Sequence, residues 1–315
     1  MPSEFELIAR YFTRQPGDDG VLLGVGDDCT LLQPTPGYCL AVSVDTSVAD
    51  VHFPGTAPAY AIGYRALAVS LSDLAAMGAT PRWCLMALTL PEAEESWLAE
   101  FARGFHALCD TSGVTLAGGD ITCGDLSIGV TVHGELPPGM ALRRSGARAG
   151  DVLAVTGSLG GGHGGLRAWQ QGERDLDDPL LAAYLLPQPR IEAGQALRDL
   201  ATAAIDISDG LLADLQHLCE ASGVGAELDR EALPLTPGLV ERLGDTDALH
   251  AALGGGDDYE LLVSLPPKAV KEARRRLQTL GVPLTVIGKL SSESGIRGVP
   301  DSIPSGWLHF HGEAP

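Results

Sequence analysis

Aspartates recur beside glycines directly after apolar runs, and this pattern constrains the fold more than any other feature of the chain. It is found in Gly26-Asp27-Asp28, Val44-Asp45-Thr46, Gly118-Gly119-Asp120 and Asp206-Ile207-Ser208-Asp209-Gly210, and Asp73 lies in an apolar helical segment. Two carboxylates about 5 Å apart repel by about 3 kcal/mol at an effective dielectric of about 20, whereas a whole domain is stable by about 5–15 kcal/mol. The aspartates are therefore either dispersed or gathered around divalent cations.

Composition narrows the class of protein. The chain has 315 residues, of which 45% are hydrophobic and 20% charged, so it can bury a large core and is expected to form two domains. Its formal net charge of -20 argues against nucleic acid or an anionic membrane as the partner, because both are polyanions. Cations and cation-neutralised anions remain possible ligands.

The sequence predicts a cytoplasmic protein. The segment from Ser3 to Phe12 mixes acids with apolar residues and is typical of an amphipathic helix rather than a signal peptide. No uninterrupted apolar run reaches the roughly 18 residues of a membrane span. The six cysteines show neither a CxxC pair nor zinc-site spacing, which indicates reduced thiols.

Strand-like and helix-like segments alternate along the chain, which predicts a mixed α/β and α+β architecture. A long helix is expected over Pro58–Gly78, with one apolar stripe, and a second helix over Glu95–Ser112. The stripe consists of Tyr64, Leu67, Leu71 and Leu74. In the second half, a strand is expected over Val152–Thr156 and a helix near Asp209–Ala221. The Pro- and Gly-rich break between Pro137 and Gly150 predicts a domain boundary there. We therefore expect an N-terminal domain over residues 1–140 and a C-terminal domain over residues 148–315.

The glycine-rich segment Gly157–Gly165 follows a predicted strand and could offer backbone N–H groups to an anion. Flexible packing is an equally good interpretation. The segment lacks the Lys-Ser/Thr ending of a P-loop, and no acidic residue stands at the Rossmann offset. Without a phosphate-binding lysine, neutralisation falls to arginines and metals, and Mg²⁺ suits a site of carboxylates and phosphates.

A set of motifs in order along nearly the whole chain resembles the thiamine-monophosphate kinase family, within the aminoimidazole ribonucleotide synthetase superfamily. The motifs are Gly24-Val25-Gly26-Asp27-Asp28-Cys29, Val44-Asp45-Thr46, His52-Phe53, Ser72-Asp73-Leu74-Ala75-Ala76-Met77-Gly78-Ala79, Gly118-Gly119-Asp120, Arg144-Ser145-Gly146-Ala147, Ile205-Asp206-Ile207-Ser208-Asp209-Gly210-Leu211 and Gly255-Gly256-Asp257-Asp258-Tyr259-Glu260-Leu261. The resemblance implies a two-domain fold, a homodimer, and ATP-dependent, Mg²⁺-dependent phosphorylation of thiamine monophosphate to thiamine diphosphate. The N-terminal α/β domain would bind ATP and Mg²⁺ and form the dimer, and the C-terminal α+β domain would close the active site.

The same resemblance implies roles for individual residues. Several Mg²⁺ ions would be held by Asp28, Ser43, Val44 through its backbone, Asp45, Asp73, Asp120, Asp206 and Asp209. The nucleotide would be bound by Gly119, Asp120, Arg144 and Ser208, and the substrate by His52, Asp257 and Trp307. Asp257 departs from the family pattern, which usually carries glutamate at this position.

Direct transfer without a phosphoenzyme is the mechanism that the chemistry predicts. The acceptor is a phosphate monoester with a second pKa of about 6, so it is largely dianionic at neutral pH and needs no catalytic base. No residue is therefore expected to act as acid, base or nucleophile, and the metal ligands and Arg144 would stabilise charge. Lone histidines such as His106, His133 and His217 are expected to be structural.

Two alternatives remain open at this point. Selenophosphate synthetase and formylglycinamidine ribonucleotide synthetase, in the same superfamily, also combine aspartates, magnesium and ATP. The first would want a reactive cysteine before Cys29, and the second a longer chain with a glutaminase-like segment. A non-catalytic cation-binding protein is the other alternative, and it would bind metal regardless of nucleotide.

Overall fold

The structure is a computed structural model that describes residues 3–14 and 20–299. Trp307, the third predicted substrate contact, lies outside the described residues. Within the described ranges, every helix is too short or too polar to cross a membrane.

Helices and strands alternate through most of the described chain. The strands are β1 (Val21–Leu23), β2 (Leu31–Leu32), β3 (Cys39–Val48), β4 (Thr80–Leu90), β5 (Thr115–Cys123), β6 (Ser127–Leu136), β7 (Val152–Thr156), β8 (Ala203–Asp206), β9 (Gly225–Leu228), β10 (Leu261–Leu265), β11 (Leu284–Ser291) and β12 (Ile296–Arg297). The helices are α1 (Glu4–Leu7), continued by a π-helical turn at Ile8–Phe12, α2 (Ala59–Ala76), α3 (Glu95–Ser112), α4 (Gly161–Gln170), α5 (Pro179–Leu185), α6 (Ile191–Leu197), α7 (Leu211–Ser222), α8 (Leu239–Leu243), α9 (Asp245–Gly254) and α10 (Val270–Thr279). Short 3₁₀ turns occupy Arg230–Ala232 and Pro267–Ala269.

The described residues divide into two compact units. The first, here the N-terminal unit, comprises residues up to Leu74 and Ala79–Ala141. The second, here the C-terminal unit, comprises Ala75–Gly78 and the residues from Leu142 onward. The predicted mixed α/β and α+β architecture is confirmed in this division, because each unit has its own sheet and its own helices.

The N-terminal unit contains a four-stranded sheet in the order β3-β6-β4-β5. Strands β3 and β4 pair antiparallel with β6, whereas β4 and β5 run parallel. The predicted stripe of α2, with apolar residues three and four positions apart, is buried as expected for one face of a helix. Its members are Tyr64, Leu67, Leu71 and Leu74.

The C-terminal unit contains a six-stranded sheet in the order β12-β9-β11-β7-β10-β8. Its strands β7 and β10 are apolar at four of their five positions, which predicts burial on both faces. Leu153 and Val155 of β7 lie in one hydrophobic cluster with residues of α7, and Ala154 lies in another with residues of α6 and α10. The sheet therefore has packed helices on both sides, and the loops at its ends carry the polar residues.

Two local predictions were wrong in part. The segment Gly157–Gly165, predicted as a loop, is partly helical, because α4 begins at Gly161 and runs to Gln170. Glycine is a poor helix former in isolation, and tertiary packing overrides this propensity here. The helix predicted from Asp209 begins at Leu211, so that Asp209 lies in the loop before α7.

Candidate active site

Asp45 and Asp73, here the N-terminal carboxylate pair, are placed by a strand and a helix. Ser43 and Asp45 lie on the same side of β3, since side chains alternate along a strand. The Ser43 hydroxyl donates a hydrogen bond to Oδ2 of Asp73 on α2. Burial, together with the negative charge of Asp73, raises the pKa of Asp45 to about 6. Oδ2 of Asp45 is buried without a hydrogen-bond partner, a costly arrangement for a carboxylate.

Asp28 and Asp120 are exposed residues. The side chain of Asp27 accepts the N–H of Asp28 at 2.8 Å, which accounts for Asp27 as a turn former. Asp45 is on β3 and Asp120 on β5, which are the two edges of the sheet. Three strand spacings put these backbones roughly 14 Å apart. A single ion cannot bridge Asp45 and Asp120 within one chain.

The spacing of the carboxylates limits how they could bind a metal ion. Among residues 3–14 and 20–299, no three His, Cys, Asp or Glu side chains lie close enough together to hold a metal ion. Mg²⁺ usually binds through one or two carboxylates, with water and substrate phosphates as its other ligands. The buried, unpartnered Oδ2 of Asp45 beside Asp73 fits such a cation. The complete ligand set remains a prediction.

Asp206, Asp209 and Asp214 form a second group, here the C-terminal carboxylate group. Asp206 ends β8 and Asp209 lies in the following loop. Asp214, in the first turn of α7, accepts the backbone N–H groups of Ser208 at 3.0 Å and Asp209 at 3.2 Å. Burial, with the charges of Asp206 and Asp209, raises the pKa of Asp214 to about 8. Asp214 was not predicted from the sequence, although a carboxylate five residues after Asp209 on an apolar helix is a visible signal.

The loop after β8 lies directly against the loop before β10. The N–H of Asp257 donates to the carbonyl of Ser208 at 2.8 Å, and the N–H of Tyr259 donates to that of Ile207 at 2.8 Å. Ile207 returns a hydrogen bond from its own N–H to the carbonyl of Glu260. Ser208, a predicted nucleotide contact, and Asp257, a predicted substrate contact, are thus brought together.

The glycine-rich segment is bound internally by Asp258. The carboxylate of Asp258 accepts the N–H groups of Gly160 at 2.9 Å and Gly162 at 3.2 Å, at the start of α4. An anion bound at this helix start would accept hydrogen bonds from these same two N–H groups, and the Asp258 carboxylate occupies that position instead. Burial, opposed by the two N–H donors, raises the pKa of Asp258 to about 7. Packing is therefore the better interpretation of this segment.

Glu260 anchors the base of the same loop. Arg190 donates to its two carboxylate oxygens, each at 2.6 Å, and the hydroxyl of Thr156 donates at 2.7 Å. A bidentate arginine–carboxylate pair is among the strongest side-chain interactions in proteins. Glu260 and Arg190 were not singled out from the sequence, because a salt bridge between residues 70 positions apart leaves no local pattern.

Comparison with known proteins identifies the family. The N-terminal domain of AIR synthase related proteins matches residues 26–136, and the C-terminal domain matches residues 148–300. Thiamine-monophosphate kinase of Salmonella typhimurium (strain LT2) is 46% identical over 98% of this chain and 98% of its own. The chain belongs to the thiamine-monophosphate kinase family.

Solved structures of this family support the same fold. Thiamine-monophosphate kinase from Stenotrophomonas maltophilia K279a superimposes with a TM-score of 0.85 at 45% identity, covering 93% of this chain and 94% of the other. AaThiL complexed with AMPPCP and TMP superimposes with a TM-score of 0.78 at 32% identity, covering 88% of this chain and 89% of the other. The predicted two-domain fold of the thiamine-monophosphate kinase family is confirmed.

His52, a residue that the resemblance to thiamine-monophosphate kinases assigns to substrate, is held by a tight turn. The ring Nδ1 of His52 accepts the N–H of Val48 at 3.0 Å, and the N–H of His52 donates to the carbonyl of Val48 at 2.9 Å. Because Nδ1 accepts, the ring proton of the neutral imidazole lies on Nε2. The turn is completed by a 2.7 Å hydrogen bond from the N–H of Asp50 to the carbonyl of Phe53, which is buried.

Gly119 and Arg144, both assigned to the nucleotide by family resemblance, have clear structural surroundings. A Cβ on Gly119 would lie 1.9 Å from the Met86 carbonyl oxygen, so only glycine fits this strand contact.

The carbonyl of Arg144 accepts the Ser222 hydroxyl at 2.8 Å, at the end of α7. Ser208 precedes the other end of that 12-residue helix, which is about 18 Å long. The structure therefore does not bring the backbones of Ser208 and Arg144 together.

Proposed function

We propose that this protein transfers the γ-phosphoryl group of ATP to thiamine monophosphate and forms thiamine diphosphate. The observation that carries the proposal is the 2.8 Å backbone hydrogen bond from Asp257 to Ser208. It joins the loop assigned to the acceptor with the loop assigned to the nucleotide, and phosphoryl transfer requires donor and acceptor side by side. The structure of the related AaThiL with AMPPCP and TMP supports both ligands.

Mg²⁺ would be held by both carboxylate groups. The N-terminal pair of Asp45 and Asp73 offers a buried carboxylate oxygen, and Asp206 and Asp209 offer a second position. Several ions would share the further ligands Asp28, Asp120, the hydroxyl of Ser43 and the Val44 backbone, and Asp120 would bind a different ion from Asp45 of the same chain. When bound, the ions would neutralise phosphate charge and offset the burial and the carboxylate repulsion that raise the pKa values of Asp45 and Asp214.

The residues of the chain would orient the reactants rather than exchange protons with them. The acceptor phosphate, with a second pKa of about 6, is mostly dianionic at neutral pH and attacks without a base. Arg144, on exposed backbone, would contact a phosphate of the nucleotide through paired N–H groups. His52 would contact the substrate, while Gly119 would contact the nucleotide through its backbone.

The edge strand β3 is the surface that we propose for a second copy of this chain in a cytoplasmic homodimer. Leu40, Val42 and Val44 alternate along it with side chains 47%, 55% and 64% exposed. An edge strand with an exposed apolar side is an unfavourable surface for a monomer. A second copy would cover the same strand by symmetry, since a two-fold interface uses one patch twice.

Val42→Glu should therefore dissociate the dimer, because it places two charges in the interface. Light scattering is expected to give twice the chain mass of 32.8 kDa for the parent protein and a single chain mass for the variant. Leu280→Glu, at an exposed apolar residue of the C-terminal unit, is the matched control and should leave the mass unchanged. A parent protein of single-chain mass would contradict the dimer.

The activity is tested by incubating the protein with thiamine monophosphate, ATP and MgCl₂ and quantifying thiamine diphosphate by chromatography. We expect stoichiometric ADP, no product when metal is omitted, and no phosphoryl group retained on the protein from radiolabelled ATP. A protein that binds Mg²⁺ equally with and without nucleotide and forms no product would be the non-catalytic alternative. Turnover of ATP only with selenide or an amide donor would favour another enzyme of the superfamily.

A further inference from the structure

Tyr259 makes a side-chain contact with the predicted substrate residue Asp257. The Tyr259 hydroxyl donates a hydrogen bond to Oδ1 of Asp257 at 2.8 Å. The Tyr259 side chain is 8% exposed, so its ring is held by its surroundings. A buried donor to a carboxylate is a directional constraint, because hydrogen bonds weaken steeply away from a linear geometry.

The backbone around Asp257 is fixed on two sides. Its N–H donates to the Ser208 carbonyl, and a Cβ added to Gly162 would lie 2.4 Å from the Asp257 carbonyl oxygen. Both Asp257 and Tyr259 have left-handed backbone conformations, with φ of 61° and 51°. Such conformations persist in residues other than glycine only when the surrounding structure imposes them. The main freedom left to Asp257 is therefore its side-chain rotation.

The neighbouring acidic residues have other contacts. Asp258 accepts N–H groups at the start of α4, and Glu260 pairs with Arg190. Of the three carboxylates in this motif, Asp257 is thus the one whose direction is set by Tyr259. Aspartate has two side-chain torsions, and one fixed oxygen determines where its other oxygen points.

We propose that Tyr259 is a positioning residue for substrate recognition, which aims the Asp257 carboxylate at the aminopyrimidine of thiamine monophosphate. The inference rests on the proposed function and adds a residue that contacts Asp257 rather than the substrate. The tyrosine hydrogen bond selects among the few rotamers of the short aspartate side chain.

The test is a double-mutant cycle with Tyr259→Phe and Asp257→Ala, read as KM and kcat and as the Kd of thiamine monophosphate by calorimetry. Tyr259→Phe should raise the KM and Kd for thiamine monophosphate by about 5- to 20-fold, near the lower end of the roughly 10- to 150-fold range for a lost hydrogen bond to a charged group, because Asp257 itself remains. The KM for ATP and kcat should change by less than about threefold, because the effect is on binding. In the Asp257→Ala background the same substitution should change the Kd by less than about twofold.

Tyr38→Phe, at an exposed tyrosine of the N-terminal unit, is the matched control for loss of a hydroxyl. An unchanged Kd in Tyr259→Phe, with the parent protein active, would overturn the positioning role alone. Equal effects of Tyr259→Phe with and without Asp257, or a parallel loss of kcat and thermal stability, would show a merely structural tyrosine. A parent protein that forms no thiamine diphosphate would overturn the proposed function first.

Discussion

The N-terminal pair and the C-terminal group both place neighbouring carboxylates in partly buried surroundings, but different contacts hold them there. In the N-terminal pair, Asp45 and Asp73 are carried by a strand and a helix, and one buried oxygen of Asp45 has no hydrogen-bond partner. In the C-terminal group, Asp206 and Asp209 border a loop, and Asp214 binds the backbone N–H groups of that loop. A strand and a helix thus fix the positions of the N-terminal pair, whereas the loop of the C-terminal group is fixed by hydrogen bonds to Asp214.

The difference indicates which group depends more on a bound cation. Backbone N–H donors partly offset the cost of a buried negative charge at Asp214 and Asp258, although burial still raises the pKa of both carboxyls. A buried carboxylate oxygen without any donor has no such compensation. We therefore expect Asp45 to bind metal first and to be the most sensitive position.

The largest expected effect is on activity, in Asp45→Asn. The amide has nearly the same shape but no charge, so kcat/KM should fall by about 100-fold or more while the fold is retained. Metal-free thermal unfolding should occur at the same or a higher temperature, because the repulsion with Asp73 is removed. Product formation and melting curves with and without MgCl₂ measure both quantities.

Asp110→Asn is the control for this experiment, since Asp110 is an exposed residue of α3 in the same unit. It should leave activity and the Mg²⁺-induced rise in melting temperature unchanged. A fully active Asp45→Asn variant would remove the N-terminal pair from the proposed metal site. It would also contradict the expectation that this pair depends more on a bound cation than the C-terminal group does.

The next effect is on stability, in Arg190→Met. This change removes the guanidinium that pairs with the buried carboxylate of Glu260, and breaking a buried ion pair in this way costs about 3–5 kcal/mol. The free energy of unfolding measured in urea should fall by an amount near the lower end of this range, since Thr156 still donates to Glu260. Arg297→Met, which removes an exposed ion pair with Glu293, should cost less than about 1 kcal/mol. Equal losses in the two variants would mean that Glu260 is not an anchor.

The smallest effect is a pH dependence at Asp258. Its pKa in the folded protein is about 7 against an ordinary value of 3.8, so between these values the folded state binds a proton that the unfolded chain has released. The free energy of unfolding should therefore fall as pH rises from about 4 to about 7, and level off above. Relative to Asp258→Asn, the parent protein should lose about 1–2 kcal/mol over this range, a figure reduced for partial exposure. A constant difference between the two proteins would contradict the raised pKa.

Much of the fold was predictable because its signals are local. Helix α3 runs from Glu95 to Ser112 and strand β7 from Val152 to Thr156, as predicted from apolar periodicity and the glycine after α3. Helix α4 was missed because its four glycines are poor helix formers whose small size is used for packing. The apolar periodicity of the sequence predicts which side of a helix or strand is buried, but it does not predict which residues pack against that side.

The sequence by itself determined most element types, with α4 as an exception, and it determined the two-domain α/β and α+β class and the family, because periodicity and ordered motifs are properties of the chain. Only the tertiary structure decided which polar residues are neighbours: that Asp214 binds the Ser208–Asp209 loop, that Asp258 occupies the donors of the glycine-rich segment, and that Asp257 lies against Ser208. These contacts join residues from 5 to 98 positions apart. The cost of burying a charge without a partner selects such contacts, and it depends on the packed surroundings rather than on sequence spacing.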